Sequence, residues 1–147
     1  MLVLSRWWRF TKNLRMELVE CTPQYWEFVR LLRSDERVVD GFVENVIITS
    51  EQQQSYMKKY SDCYRIALID GEAAGFVGVI DDDIRVCTHP NFQGRGLGKF
   101  MIDGCMKIWP TAYAKVKLGN IASDKLFLSV GFEEFKKDEN FTYYRKK

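Results

Sequence analysis

Pro90-Asn91-Phe92-Gln93-Gly94-Arg95-Gly96-Leu97-Gly98-Lys99 joins two segments of different periodicity. Before it, Ile84-Arg85-Val86-Cys87-Thr88 alternates apolar and polar residues, the two-residue period of a strand, and ends at His89-Pro90. After it, Leu97, Met101, Cys105 and Ile108 fall on one helical face and Lys99, Asp103 and Lys107 on another, until Pro110 ends the pattern. The glycines therefore stand where a strand gives way to a long helix opening near Arg95. A helix start offers unpaired N–H groups and the positive end of its dipole, and glycine lets a ligand reach that backbone without meeting a Cβ. A diphosphate fits such a turn, with Arg95 or Lys99 adding charge.

Two common phosphate motifs are excluded by spacing. A Walker A loop needs a glycine at position 93 and a hydroxyl residue at position 100, which are Gln93 and Phe100. A dinucleotide fingerprint needs Gly-x-Gly-x-x-Gly after a βαβ unit; here the glycines are Gly94, Gly96 and Gly98, and a hairpin precedes them.

Outward from the turn, Tyr64 to Ile69 and Ala74 to Ile80 are apolar runs separated by Asp70-Gly71-Glu72-Ala73, where Asp-Gly marks a hairpin. Asp81-Asp82-Asp83 then interrupts the pattern. Upstream, Met16 to Cys21 alternates as a strand, and Thr22-Pro23 opens a helix through about Arg33. Ser50-Glu51-Gln52-Gln53 has the form of a capping box and predicts a short helix through about Lys59. Downstream, Ala114, Val116 and Leu118 alternate with lysines as a strand, Ser123 to Val130 reads as a helix closed by Gly131, and two strands finish the chain. The expected fold is α/β in the α+β sense: a mixed, mostly antiparallel sheet of about seven strands with four helices.

Composition limits the function classes. A chain of 147 residues, 46% hydrophobic and 14% aromatic, suits one packed domain. Its net charge is +2, but Arg6, Arg9, Lys12 and Arg15 give +4 before Met16, so the remainder carries −2. We therefore expect a basic extension over residues 1–15, poorly ordered or packed, before a domain over residues 16–147. A domain without basic excess argues against a nucleic-acid partner. Cys21, Cys63, Cys87 and Cys105 show no metal or dithiol spacing, and His89 is the sole histidine, so no metal is expected. No apolar run approaches the roughly 20 residues of a membrane span, and a cytoplasmic protein without a membrane partner is expected.

Gln93-x-x-Gly96-x-Gly98 between a strand and a helix resembles the pyrophosphate loop of the GNAT superfamily of acyl-CoA N-acyltransferases. Thr88-His89-Pro90 and Phe92 resemble the run that precedes that loop. Asn120-Ile121-Ala122-Ser123-Asp124-Lys125-Leu126-Phe127-Leu128-Ser129-Val130-Gly131-Phe132 resembles a second stretch of the family. The resemblance covers the element order from about Met16 onward and is sharpest over residues 84 to 132.

The resemblance implies an acetyl-CoA-dependent N-acetyltransferase acting by direct attack of an amine in a ternary complex. It assigns coenzyme A to Val86, Cys87, Thr88, Gln93, Gly94, Arg95, Gly96, Leu97, Gly98 and Lys99. Asn120 joins them at the pantetheine arm, with Ser123 and Lys125 nearby. The backbone N–H near Cys87 would hold the oxyanion. Asp82, on the strand face of Ile84 and Val86, is the candidate base; the alternative is that the three aspartates form a solvated turn. Phe127 stands where many members carry a tyrosine that protonates the leaving thiolate, so Tyr143, Tyr144 or water would have to substitute. Cys87 reads as a buried strand cysteine in preference to a nucleophile, and His89 as a loop residue in preference to a base.

Specificity in this fold comes from loops, here Arg33 to Tyr60 and Phe132 to Tyr144. The acceptor is a primary amine of a small molecule, an amino sugar among the candidates, or of a protein or peptide. The resemblance also raises a homodimer. Two readings from other classes stand beside it: a catalytically silent acyl-CoA-binding module, motivated by Phe127, and a nucleic-acid or membrane adaptor using the basic arm.

Overall fold

The computed structural model describes residues 15–42 and 47–147. Except for Arg15, the expected basic extension lies outside the described residues. Strands β1 (Met16–Glu20), β2 (Tyr64–Ile69), β3 (Glu72–Ile80), β4 (Asp83–Thr88), β5 (Tyr113–Lys117), β6 (Phe132–Lys137) and β7 (Phe141–Lys146) form one sheet, ordered β1-β2-β3-β4-β5-β7-β6. Among the described residues there are four α-helices: α1 (Trp26–Arg33), α2 (Ser50–Tyr60), α3 (Leu97–Ile108) and α4 (Ile121–Ser129). Every neighbouring pair of strands is antiparallel except β4 and β5. The mixed, mostly antiparallel seven-stranded sheet expected from the sequence is the one found.

Local chemistry places several boundaries a residue or two from their expected positions. The capping box belongs to Thr49 and Gln52, not Ser50 and Gln53: Thr49 Oγ1 accepts from the Gln52 N–H, and Gln52 Oε1 from the Thr49 N–H. Gln53 is instead buried and donates to the Trp26 carbonyl at 2.9 Å, tying α2 to α1. Helix α4 starts at Ile121, because Asn120 caps it. The β2–β3 turn needs only Asp70 and Gly71, both left-handed at φ 50° and 83°, so β3 begins at Glu72. The next hairpin closes the same way on Asp81 and Asp82, at φ 52° and 64°. Left-handed pairs match the twist of the flanking strands, and aspartate tolerates them better than most residues.

The sheet carries a core on each face. Helix α3 buries Leu97, Met101, Ile102 and Cys105 against Val77, Val79, Ile84, Ala114 and Val116, with Phe127 and Phe132 completing the cluster. Burial of such side chains contributes about 1.5–3 kcal/mol each. Helices α1 and α2 cover the other face through Val29, Leu32 and Met57 against Tyr64, Ile66, Phe76 and Cys87. Side chains alternate along a strand. Ile84 and Val86 therefore face α3, while Asp83, Arg85 and Cys87 face the α1–α2 side. On β5, Ala114 and Val116 face α3, while Tyr113, Lys115 and Lys117 point the other way.

Candidate active site

The glycine turn is built from backbone. Gly94 and Gly96 adopt left-handed φ values of 77° and 82°, and a Cβ at either would meet nothing within 4 Å. Helix α3 begins at Leu97, two residues beyond the expected start, because Gly96 at φ 82° is its N-cap. The first helical bond is donated by Phe100 to the Gly96 carbonyl. Among the described residues, the N–H groups of residues 94 to 99 have no protein acceptor. Six donors on an open, positively polarised helix start suit a diphosphate. Gly98 has a different reason to be glycine: a Cβ there would come within 3.0 Å of Leu126, so it lets α3 and α4 pack closely.

Beside the turn, the sheet opens. Strands β4 and β5 pair only at Asp83 and Tyr113, and diverge beyond that point. The backbone edge of β4 exposed by this splay follows from strand parity. His89 donates to the Ala74 carbonyl, and N–H directions alternate along an antiparallel pair, so Cys87 and Arg85 donate toward β3. Val86 and Thr88 therefore present their N–H and carbonyl groups to the splay. This corrects the expected oxyanion donor: the Cys87 N–H is committed to β3, and the free donor in the splay is the Val86 N–H.

The turn and the splay form one cleft of about 910 Å³. Of the residues that the resemblance assigns to coenzyme A, Val86, Cys87, Thr88, Gln93, Gly94, Gly96, Leu97, Gly98, Lys99, Asn120 and Ser123 line it. Arg95 and Lys125 do not: both are exposed, and the Arg95 guanidinium lies 5.3 Å from the centre of the Phe92 ring. The opposite wall, Arg37 to Phe42, was expected from the sequence only as part of the acceptor loop Arg33 to Tyr60. Arg37 pairs with Asp35 at 2.7 Å and donates to Asn91 at 3.3 Å, which fastens the loop after α1 to the glycine turn. That pairing holds the Asp35 carboxyl down at about 2. Lys117 donates to the Asp40 carbonyl at 3.1 Å, bracing the same wall from β5.

Asp82 is not on the strand face expected of it. It occupies the hairpin turn, exposed, and accepts from Thr111 Oγ1 at 3.2 Å, outside the lining of the cleft. The turn consumes two aspartates, so Asp83 is the first residue of β4 and faces the α1–α2 side at the point where the splay closes. Asp83 is half-buried; desolvation raises its carboxyl above the ordinary range, and Arg85 and Lys115 oppose that rise.

Other candidates are accounted for by packing. Burial pushes the Cys87 thiol up to about 12, so it stays protonated and unreactive near neutral pH. Cys21 and Cys105 are raised by the same cause, to about 11 and about 12. Alkylation of the native protein at pH 8 is therefore expected to spare all three, and Cys87→Ala to retain acyl transfer; rapid loss of activity on labelling of Cys87 would contradict this. His89 Nδ1 accepts from the Asn91 N–H at 3.1 Å and caps the turn, away from the cleft. Phe127 is buried, stacked on Tyr144 with centroids 6.2 Å apart. The two tyrosines considered as acids donate elsewhere, Tyr143 to Asp138 and Tyr144 to Asp124, and neither lines the cleft. Among the described residues, no group of three or more His, Cys, Asp or Glu is placed to hold a metal ion, and no helix is long and apolar enough to cross a membrane.

Comparison with known proteins agrees with this geometry. A model of the acetyltransferase (GNAT) family matches residues 22–132. N-acetylaspartate synthetase of Xenopus tropicalis is 29% identical over a 99-residue alignment, with coverage of 57% of this chain and 35% of that protein. The chain thus spans about a third of that relative's length. A domain from Methanocaldococcus jannaschii superposes with a TM-score of 0.77 at 22% identity, covering 90% of this chain and 97% of the other. Spermidine N-acetyltransferase from Vibrio cholerae, solved with CoA and spermine, gives 0.70 at 16% identity, covering 88% and 92%. At these identities the two structures share the fold.

Proposed function

The chain belongs to the acetyltransferase (GNAT) family, a family of acetyl-CoA-dependent N-acetyltransferases, and we propose that it transfers an acetyl group from acetyl-CoA to a primary amine. One observation carries the assignment of the cofactor to this cleft: six acceptor-free N–H groups at residues 94 to 99 adjoin the splay of β4 and β5. The turn binds the diphosphate, with Lys99 and Arg37 supplying charge from either side. Exposed backbone groups of Val86 and Thr88 take the pantetheine arm as a missing strand, and Asn120 closes over it. When bound, acetyl-CoA supplies an activated acyl carbonyl.

The chain's own groups then have two tasks. The Val86 N–H points into the splay, where it stabilises negative charge on the carbonyl oxygen. The amine, with a pKa near 10, is about 99.9% protonated at pH 7 and must lose a proton before attack. Asp83 takes that proton, because it is the carboxylate at the closed end of the splay and burial makes it a stronger base than an exposed aspartate. The thiol of coenzyme A resembles that of cysteine, at about 8.5, so its thiolate departs without a dedicated tyrosine. That accommodates Phe127.

The acceptor is a small-molecule amine, an amino sugar or amino acid among them, or a protein amine. The amino-acid option draws on the relative named for N-acetylaspartate. The test is amine-dependent release of coenzyme A. Turnover with at least one amine class is expected. Tight acetyl-CoA binding with no release across amino acids, amino sugars, polyamines and peptide N-termini would instead favour the silent binding module.

A further inference from the structure

The closed end of the splay carries more positive charge than an amine needs. Asp83, Arg85 and Cys87 share one face of β4, and Tyr113, Lys115 and Lys117 share the same face of β5. Arg85 pairs across the sheet with Gly78, and Gly78 with Tyr64. The missing side chain at Gly78, where a Cβ would lie 2.5 Å from the Tyr64 ring, lets Tyr64 reach toward Arg85. Tyr64 is buried, is bonded to the Tyr56 hydroxyl at 2.7 Å, and stands beside the Arg85 guanidinium. Arg85 is thus a half-buried, propped cation. Among the described residues, no carboxylate oxygen comes within 4.0 Å of Arg85 or Lys115. Lys115 rests over the Phe141 ring at 4.2 Å on the same sheet face, and both it and Arg85 lie near enough to Asp83 to lower its carboxyl electrostatically.

We propose that the acceptor amine also carries an anionic group, a carboxylate or a phosphate, which Arg85 and Lys115 bind while Asp83 takes the proton of the attacking nitrogen. This rests on the acyl-transfer reading of the site. A polycationic acceptor would set its second ammonium against Arg85 and Lys115, a juxtaposition that costs several kcal/mol in contact. Asp83 and Arg85 stand two residues apart on one face of β4, so a nitrogen at Asp83 and an anion at Arg85 fit one small acceptor. In the step itself the nitrogen–carbon bond forms as the carbon–sulfur bond breaks. Asp83 takes the first proton from the ammonium before attack. The electron pair of the broken bond leaves with sulfur, and the second proton, lost from nitrogen as the amide forms, passes to that thiolate to give the free thiol. The Asp81 and Asp82 carboxylates lie beyond this space in the exposed turn.

Matched amines test the inference, each assayed for release of coenzyme A. The carboxylate arm compares 4-aminobutyrate, 4-aminobutanamide and 1,4-diaminobutane; the phosphate arm compares glucosamine 6-phosphate with glucosamine. A charge-assisted contact predicts that the anionic member of one arm leads in kcat/KM by about 10- to 100-fold. Arg85→Gln should collapse that ratio, and so should Lys115→Gln, a half-exposed site whose replacement leaves the core intact. The arm that responds identifies carboxylate or phosphate. Equal or better turnover of the neutral or dicationic members overturns the inference and leaves the acetyltransferase reading standing. An equal loss for all members in both variants overturns it too, because that marks a structural role. Bound acetyl-CoA with no amine turned over in either arm removes both.

Discussion

Gly96→Asp is expected to weaken acetyl-CoA binding by at least about 100-fold, close to 2.7 kcal/mol, while costing the fold about 1–2 kcal/mol. The asymmetry follows from the conformation of Gly96. Its φ of 82° is left-handed, and a Cβ there meets nothing within 4 Å. Aspartate occupies that region at a cost of about 1–2 kcal/mol, so the fold tolerates it. Its carboxylate, however, would accept from the first N–H groups of α3, as aspartate at an N-cap does. It would occupy the donors reserved for the diphosphate and repel the anion as well. Gly96→Ala separates the effects, since alanine has the backbone strain without charge or acceptor. Calorimetric titration and thermal melts of the three proteins measure both sides. Unchanged affinity in Gly96→Asp would move the diphosphate away from this turn.

Asp83→Asn is expected to lower kcat by about 10² to 10⁴, the usual worth of a general base, whereas Asp82→Asn should stay close to wild type. Adjacent aspartates differ this much because a two-residue turn takes Asp82 out of the strand and leaves Asp83 as the first residue of β4, half-buried where the splay closes. The base must be ionised, so the rate should climb as pH rises through the raised value of Asp83, and that limb should vanish in Asp83→Asn. Stability has the opposite sign. The folded-state pKa lies above the unfolded one, so the stabilisation from neutral Asp83 is fully present below the unfolded value. It is lost as pH rises through the folded value. Asp83→Asn should therefore melt no lower than wild type at neutral pH, which distinguishes lost chemistry from lost fold. A comparable loss of kcat in Asp82→Asn would contradict the assignment.

These two positions also mark how far the sequence could be read. The glycine turn was legible because its meaning depends only on neighbours in the chain: strand before, helix after, glycine where the backbone is left-handed. Asp70-Gly71 identified its hairpin for the same reason. Asp82 was misplaced because strand parity depends on turn length, and three consecutive aspartates do not reveal whether two or three of them turn. One residue of difference moves every side chain to the other face. The oxyanion donor failed by the same parity, since Cys87 and Val86 point their N–H groups in opposite directions. Thr49, not Ser50, caps α2 because both residues carry a hydroxyl and both are followed three positions later by glutamine. The stretch from Arg33 to Tyr60 was legible as an acceptor loop but not as a wall of this cleft, because Arg37 to Phe42 reach it through tertiary contact with Asn91 and Asn120. No local pattern encodes that approach.

The central claim is that the main chain of residues 94 to 99 receives the diphosphate of coenzyme A while the edge of β4 receives the arm. Amide chemical shifts of ¹⁵N-labelled protein, followed through a titration with coenzyme A, measure it most directly. The account predicts that the largest shifts fall on residues 94 to 99, with Val86 and Thr88 moving in the same saturable phase and Cys87 moving less than either. Saturation by coenzyme A with the amides of residues 94 to 99 unmoved would contradict it.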